Sequence, residues 1–387
     1  MKRISLLLCI TLSLGLAEDI DTLIQKAYDN SFALKAMQKE VQINFESTKT
    51  ADSWDDPMLS AGVTDVMLDD ISNRSLEPMQ TQFIALSQTI PLGGKKGITK
   101  TISNDFMMLS KLQIEDTKAI IASKITHFAY QSIIIDERLK LIEEKRNNLK
   151  TIQKLQQAYQ QSEENYLGVG VSLLQLENKQ ERLHYEKEAI KKQIEKFTVT
   201  PVSTIEDSLA INALSHVNIE KHPKIELLKQ KTTLEKSKSS LARAKKIPDL
   251  KVSGGYFQRD ARNDYINLSF SLPLLVNGKE DTEVVKAKLS VLKSEEALKE
   301  VQNNFKTEIE LLLKSTDASA KNYNRYLNQL IPKQKKITKF IQRKNRIGKA
   351  NLIQVTKSKN LTIALKEQSL DALQRYFKAY SKLRYYQ

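Results

Sequence analysis

The chain has 387 residues, 40% hydrophobic and 28% charged, with few glycines and prolines; that suffices for a large folded unit and excludes a disordered one. Its formal net charge is +15, but lysines alternate with glutamates along helical runs (Glu186, Lys187, Glu188, then Lys191 and Lys192). Without a basic patch interleaved with aromatics, that pattern describes solvated helix faces and argues against nucleic acid as a partner.

Met1-Lys-Arg followed by a short apolar core and Ala17-Glu-Asp reads as a secretory signal over residues 1–17, too short to span a bilayer. The only cysteine, Cys9, lies inside it, so the exported chain is expected to hold no thiol and no disulfide. No later stretch approaches ~20 apolar residues, so if the chain crosses a membrane it must do so as a barrel.

The first repeat is expected over residues 18–197. Leu23, Ala27, Leu34, Met37, Val41 and Phe45 give helical spacing from Ile20 to about Trp54, with Asp19 or Asp21 available to cap the start. Asp55-Asp56-Pro57 ends it. A β-hairpin over 58–90 follows, with Leu59, Ala61 and Val63 alternating against Ser60, Gly62 and Thr64, and a return strand stopped by Pro91. Residues 98–166 read as one helix of roughly 70 residues, on the order of 100 Å long at the α-helical rise. Its apolar spacing (Leu139, Leu141, Ile142, Leu149, Ile152, Leu155) suits coiled-coil packing. Leu167-Gly-Val-Gly-Val-Ser172 is expected to break that helix, and 173–197 to run back.

A connector with Pro201 covers 198–216. The programme then repeats over 217–387: a helix to Lys246, a hairpin over 248–272, a long helix over 279–343 with Pro332 as its kink, a turn at Arg346–Asn351, and a return helix over 352–386. In the second hairpin Ile266, Leu268, Phe270 and Leu272 share one face, and Asn267, Ser269 and Ser271 share the other. Corresponding landmarks lie roughly 180 to 190 residues apart, the mark of a tandem duplication. The fold class is therefore mainly α with a small β part, duplicated as helix, β-hairpin, long helix, helix. Four strands cannot close a membrane barrel, which needs at least about eight. Helices this long do not suit a compact core, so the hairpins are expected to pool with those of other copies.

Gln88-Thr-Ile-Pro-Leu-Gly-Gly-Lys95, Asp56-Pro57-x-Leu59, Val169-Gly-Val-Ser-Leu-Leu-Gln-Leu176 and Ile347-Gly-Lys-Ala-Asn-Leu-Ile-Gln-Val355 together resemble the TolC-like outer-membrane efflux family, over nearly all of the mature length. The second tip and the Asp-Pro-x-Leu start look most like its heavy-metal branch, the CusC- and CzcC-like channels. The resemblance implies a homotrimer with a twelve-stranded barrel in the outer membrane of a Gram-negative bacterium and a helical tunnel across the periplasm. It implies a passive exit duct for small solutes, heavy-metal ions among them, docked to a periplasmic adaptor and an inner-membrane pump of the RND type. Two departures stand out. The family's usual Asn-Pro is Asn30-Ser31 in the first half and His222-Pro223 in the second. The family's acidic ring near the tunnel mouth is replaced by Gln354 and Lys357, with Glu177 as the remaining carboxylate candidate there.

The resemblance assigns adaptor docking to the two turns, Val169, Gly170, Val171, Ser172 and Leu173, and Ile347, Gly348, Lys349, Ala350, Asn351 and Leu352. Met58, Met67 and Met79 invite a Cu(I) role but form no Met-x-x-Met cluster, so packing is the expectation. His127, His184, His216 and His222 have no paired ligand spacing; no metal site and no cofactor are expected. Tyr256, Phe257 and Tyr265 suit either an interfacial girdle or hairpin packing. No nucleophile motif or phosphate loop is present, so no enzyme is expected. The rival readings are a channel for secreted proteins (type I secretion) and an exported coiled-coil structural protein.

Overall fold

In the computed structural model, residues 18–71, 73–75, 77–158, 163–211, 218–260 and 262–387 are described. The signal segment with Cys9, part of the connector and His216 lie outside them. The order is α1 (Ile20–Asn30), α2 (Phe32–Thr50), β1 (Met58–Thr64), β2 (Thr81–Ile90), α3 (Lys95–Ala158), α4 (Glu163–Thr198), α5 (Pro223–Ala244), β3 (Leu250–Arg259), β4 (Tyr265–Ser271), α6 (Lys279–Arg325), α7 (Ile331–Arg346) and α8 (Leu352–Leu383).

Two compact units result, one from the described parts of Met1–Lys35, Glu115–His222 and Asn303–Gln387, the other from Ala36–Ile114 and Pro223–Gln302. In the first, Ile125, Ile134, Ile142, Ile194, Ile363, Leu373 and Leu383 are fully buried, and Tyr130 stacks on Phe377 at 3.8 Å between centroids. Such interlocking of long helices fits the apolar spacing read from sequence. Polar ties run between these helices: Asn148 donates to Asn360 at 3.0 Å, and Lys179 meets Glu367 at 3.1 Å. The connector helps to hold the chain start, with the Glu18 N–H on the Thr204 carbonyl at 2.9 Å and the Glu206 N–H on the Glu18 carbonyl at 3.1 Å.

The expected single helix to about Trp54 is two helices. Ser31, buried at ψ 118°, leaves helical geometry between α1 and α2. Asn and Ser are weak helix formers that favour such breaks. In the second half His222 has the matching extended backbone (ψ 133°) directly before Pro223, where a residue preceding proline is driven out of the α region. Asp19, not Asp21, caps α1, accepting the Thr22 N–H at 2.7 Å. Near Pro332 the long helix passes through a π-helical turn, Tyr326–Leu330. A proline lacks the N–H for the i−4 bond and crowds that carbonyl, and a π-turn is one way a helix absorbs it.

The second unit carries one antiparallel sheet in the order β1-β2-β3-β4. Its central seam joins the two repeats, from Thr81↔Arg259 to Ile90↔Leu250. In the same unit, buried Asp105 of α3 accepts from Ser237 Oγ at 2.7 Å and Gln230 Nε2 at 3.0 Å, tying α3 to α5.

Candidate functional site

The sheet has two chemically different faces. Leu59, Ile84, Leu86, Ile266, Leu268 and Phe270 lie on one, with exposures from 51% at Ile84 to 72% at Ile266. Register stacks them across the strands as Leu59↔Leu86 and Ile84↔Tyr256↔Ile266. The opposite face carries a polar row in which the Ser253 and Ser269 hydroxyls bond at 2.6 Å. Beside it runs an aromatic row: Phe83 stacks on Phe257 at 5.3 Å, Phe257 on Tyr265 at 5.0 Å, and the Arg259 guanidinium lies 4.4 Å from the Tyr265 ring centre. Phe257 and Tyr265 thus belong to the polar face, whereas Tyr256 lies on the apolar one. Gly255 makes room for this row, since a Cβ there would sit 2.9 Å from Phe257 Cε2. Apolar exposure on this scale, contiguous across a sheet, marks a surface that something apolar covers.

The turn after α7 is rigidly built. Gly348 takes φ +74°, its N–H bonds the Asn345 carbonyl at 3.0 Å, and the Lys349 N–H bonds the Lys344 carbonyl at 2.8 Å. That pair of bonds around a left-handed glycine is a Schellman closure. Asn351 then starts α8 with a capping box: its side chain accepts the Gln354 N–H at 2.9 Å, and Gln354 Oε1 accepts the Asn351 N–H at 3.1 Å. Ile347, Lys349 and Leu352 are exposed around this closure, and a Cβ on Gly348 would meet nothing within 4 Å.

The first turn differs from expectation. Leu167–Leu173 does not break the helix; Val169, Gly170, Val171, Ser172 and Leu173 all lie inside α4, which runs unbroken from Glu163 to Thr198. Residues 159–162, between α3 and α4 in the chain, lie outside the described residues. A mid-helix glycine costs only about 1 kcal/mol, which a long packed helix absorbs; Ser172 keeps its hydroxyl on the Gly168 carbonyl at 3.0 Å. What α4 presents instead is an exposed apolar stripe, Leu167, Val171 and Leu174, at helical spacing, while Val169 and Leu176 point into the packing. The i, i+4, i+7 pattern is legible in the sequence, but the two glycines beside it suggest a turn.

Of the expected tunnel-mouth residues, Gln354 serves the capping box, Lys357 is exposed on α8, and Glu177 pairs with Arg146 of α3 at 3.3 Å. The charge of this end comes from α7, which carries Lys333, Lys335, Lys336, Lys339, Arg343, Lys344 and Arg346 and no acidic residue. Among the described residues none of these cations forms an ion pair, so the second tip is strongly cationic. The described histidines do not converge: His222 Nε2 lies 2.7 Å from the Tyr385 carbonyl, and His127 Nδ1 lies 3.4 Å from Ser381 Oγ.

No protein-family model and no curated protein matches the chain. Solved structures do. The chain is similar to the CmeC outer membrane channel of Campylobacter jejuni, with TM-score 0.75 at 15% identity, over 95% of this chain and 85% of that one. It is similar to the open state of the MtrE outer membrane channel of Neisseria gonorrhoeae, with TM-score 0.77 at 12% identity, over 95% and 88%. It is similar to CusC, with TM-score 0.71 at 12% identity, over 95% and 92%. The chain has the TolC-like channel fold. Within that fold, the exposed apolar sheet face and the hairpin turns are the two surfaces left to explain. Among the described residues no helix is long and apolar enough to cross a membrane, a statement that does not bear on the sheet.

Proposed function

We propose that this chain is the outer-membrane exit duct of a tripartite efflux system, passively exporting small solutes without catalytic chemistry of its own. The observation that carries the reading is the sheet, apolar and exposed on one face, polar on the other, and with β1 and β4 unpaired at its edges. Exposed sheet edges are a liability in water and cannot be left open in lipid, whereas a closed barrel satisfies every backbone group. Pooling the sheets of three copies closes such a barrel in the outer membrane of a Gram-negative bacterium, with the helices extending into the periplasm.

The tips then meet a periplasmic adaptor that links the duct to an inner-membrane pump of the RND type. Ile347, Gly348, Lys349 and Leu352 at the Schellman turn and Leu167, Val171 and Leu174 on α4 provide exposed apolar and small groups for that contact. The cationic α7 puts positive charge at the second tip, and Glu177 is held in an ion pair with Arg146. Heavy-metal ions fall within the cargo class, as do drugs and dyes; the similar structures include CusC alongside CmeC and MtrE and do not favour one of these.

Dye retention in cells lacking this chain tests the reading. Expression of the natural chain restores export. Lys349→Trp, at an exposed position of the same turn that does not need the left-handed backbone of Gly348, keeps trimers, yet loses export and in-cell cross-linking to the adaptor. Normal export by that variant removes the docking assignment.

A further inference from the structure

The seam between the repeats is fastened at its lower end by a lysine. Lys95, the first residue of α3, places Nζ 2.6 Å from Asp249 Oδ1 and 2.5 Å from the Ile247 carbonyl. The Leu92 N–H donates to the same Asp249 oxygen at 3.1 Å, and the Lys95 side chain is only 12% exposed. Gly93, at φ +70°, lets this turn lie against the end of α5, where a Cβ would come within 3.2 Å of the Ala244 carbonyl. The end of β2 and the beginning of β3 are thereby clasped.

The same parts stand at the two open edges. Gly278 (φ +64°) precedes Lys279, the first residue of α6, as Gly94 (φ +70°) precedes Lys95. Asp55-Asp56-Pro57 precedes β1, as Pro248-Asp249 precedes β3. Gln88 Nε2 holds the Asp55 carbonyl at 2.8 Å, which fixes this acidic step beside the base of β2. Lys279, Asp55 and Asp56 are exposed, and none forms an ion pair among the described residues.

We propose that Lys279 clasps the Asp55–Asp56 step of a second copy, sealing β4 against that copy's β1 in the way that Lys95 and Asp249 seal β2 against β3. The inference rests on the pooled-barrel reading above and supplies its contact residues. Strand direction permits it: β1 and β3 run one way and β2 and β4 the other, so β4 beside a second β1 is antiparallel. Register agrees. Ile90 and Leu272 each directly precede a proline, and Met58 and Ser253 hold matching places in their hairpins, opposite Ser87 and Ser269. Moving the Ile90↔Leu250 pair one hairpin along sets Leu272 opposite Asp55, with the lysine following one strand and the acids beginning the other.

The test uses the full chain in outer membranes. With Lys279→Cys and Asp56→Cys in one chain, mild oxidation converts the protein to covalent trimers on non-reducing gels, while either cysteine alone gives none. Lys279→Glu loses detergent-resistant trimers, and adding Asp55→Lys with Asp56→Lys restores them. Natural-sequence trimers that neither cross-link through these cysteines nor respond to Lys279→Glu overturn the clasp and leave the barrel reading standing. A natural-sequence monomer in the membrane overturns both.

Discussion

At the β2–β3 seam one chain supplies the ladder, the lysine and the acid; at β1 and β4 the same components stand with nothing opposite them. The contrast teaches how a duplicated chain divides its work. On the proposed reading, one copy of the seam folds with the monomer and stabilises it, and the other is held in reserve for assembly. Changes at the inner seam should therefore weaken the single chain, and changes at the outer edges should weaken only what several chains build.

The largest expected effect lies on the apolar face. Leu268→Arg puts a charge among Ile266, Phe270 and Leu86, and should cost about 2–4 kcal/mol if that face meets lipid near mid-depth. Urea titration of liposome-inserted protein measures it. Ser269→Arg, one residue along on the polar face, should cost far less; equal costs would break the two-faced reading.

Next is Gly255→Val at the inner seam. A Cβ there would lie 2.8 Å from the Ala85 Cβ and 2.9 Å from Phe257 Cε2, so overpacking of about 1–3 kcal/mol is expected in the denaturant midpoint. Gly254→Ala should be milder, because its Cβ would meet mainly the movable end of Leu268 at 3.1 Å.

Asp249→Asn sharpens the comparison. It weakens the ion pair to Lys95, which is partly exposed, so about 1 kcal/mol is expected from the chain's own stability. Asp56→Asn should leave a detergent-solubilised monomer unchanged and lower only the temperature at which trimers dissociate. A monomer weakened equally by both would erase the distinction between the seams.

The smallest effect lies away from the sheet. Burial first, then Lys378 and Lys382, hold the His127 imidazole below its ordinary value. The folded chain therefore binds fewer protons there than the unfolded one, and the stability this brings is present above the ordinary histidine range and lost as pH falls below it. Between pH 7.5 and 5.5 the thermal midpoint should fall slightly more for the natural sequence than for His127→Gln.

Much of this architecture was legible because it is written in short-range patterns. The alternation from Ile266 to Leu272 and the stop at Pro273 mark β4, and Gly348 with Asn351 and Gln354 carries the signals of a helix end and a new cap. Gly168 and Gly170 mislead because their surroundings carry the same signals as the second tip: Ser172 with Gln175 offers the cap pattern of Asn351 with Gln354, yet Ser172 lies inside α4 with its hydroxyl on the Gly168 carbonyl. Gln354, assigned to the tunnel mouth by resemblance, is used by the backbone of Asn351. The Lys95–Asp249 clasp joins residues far apart in the chain, and no local pattern announces such a partner. The cations of α7 are countable in sequence, but that none of them meets a carboxylate among the described residues is a property of the fold.

The most direct measurement is chemical cross-linking of the natural chain in isolated outer membranes, resolved on denaturing gels. The account predicts a trimer-sized band in the outer-membrane fraction. A soluble monomer would mean that β1 and β4 need no partner, and it would contradict the central claim that the chain leaves half of its seams for other copies.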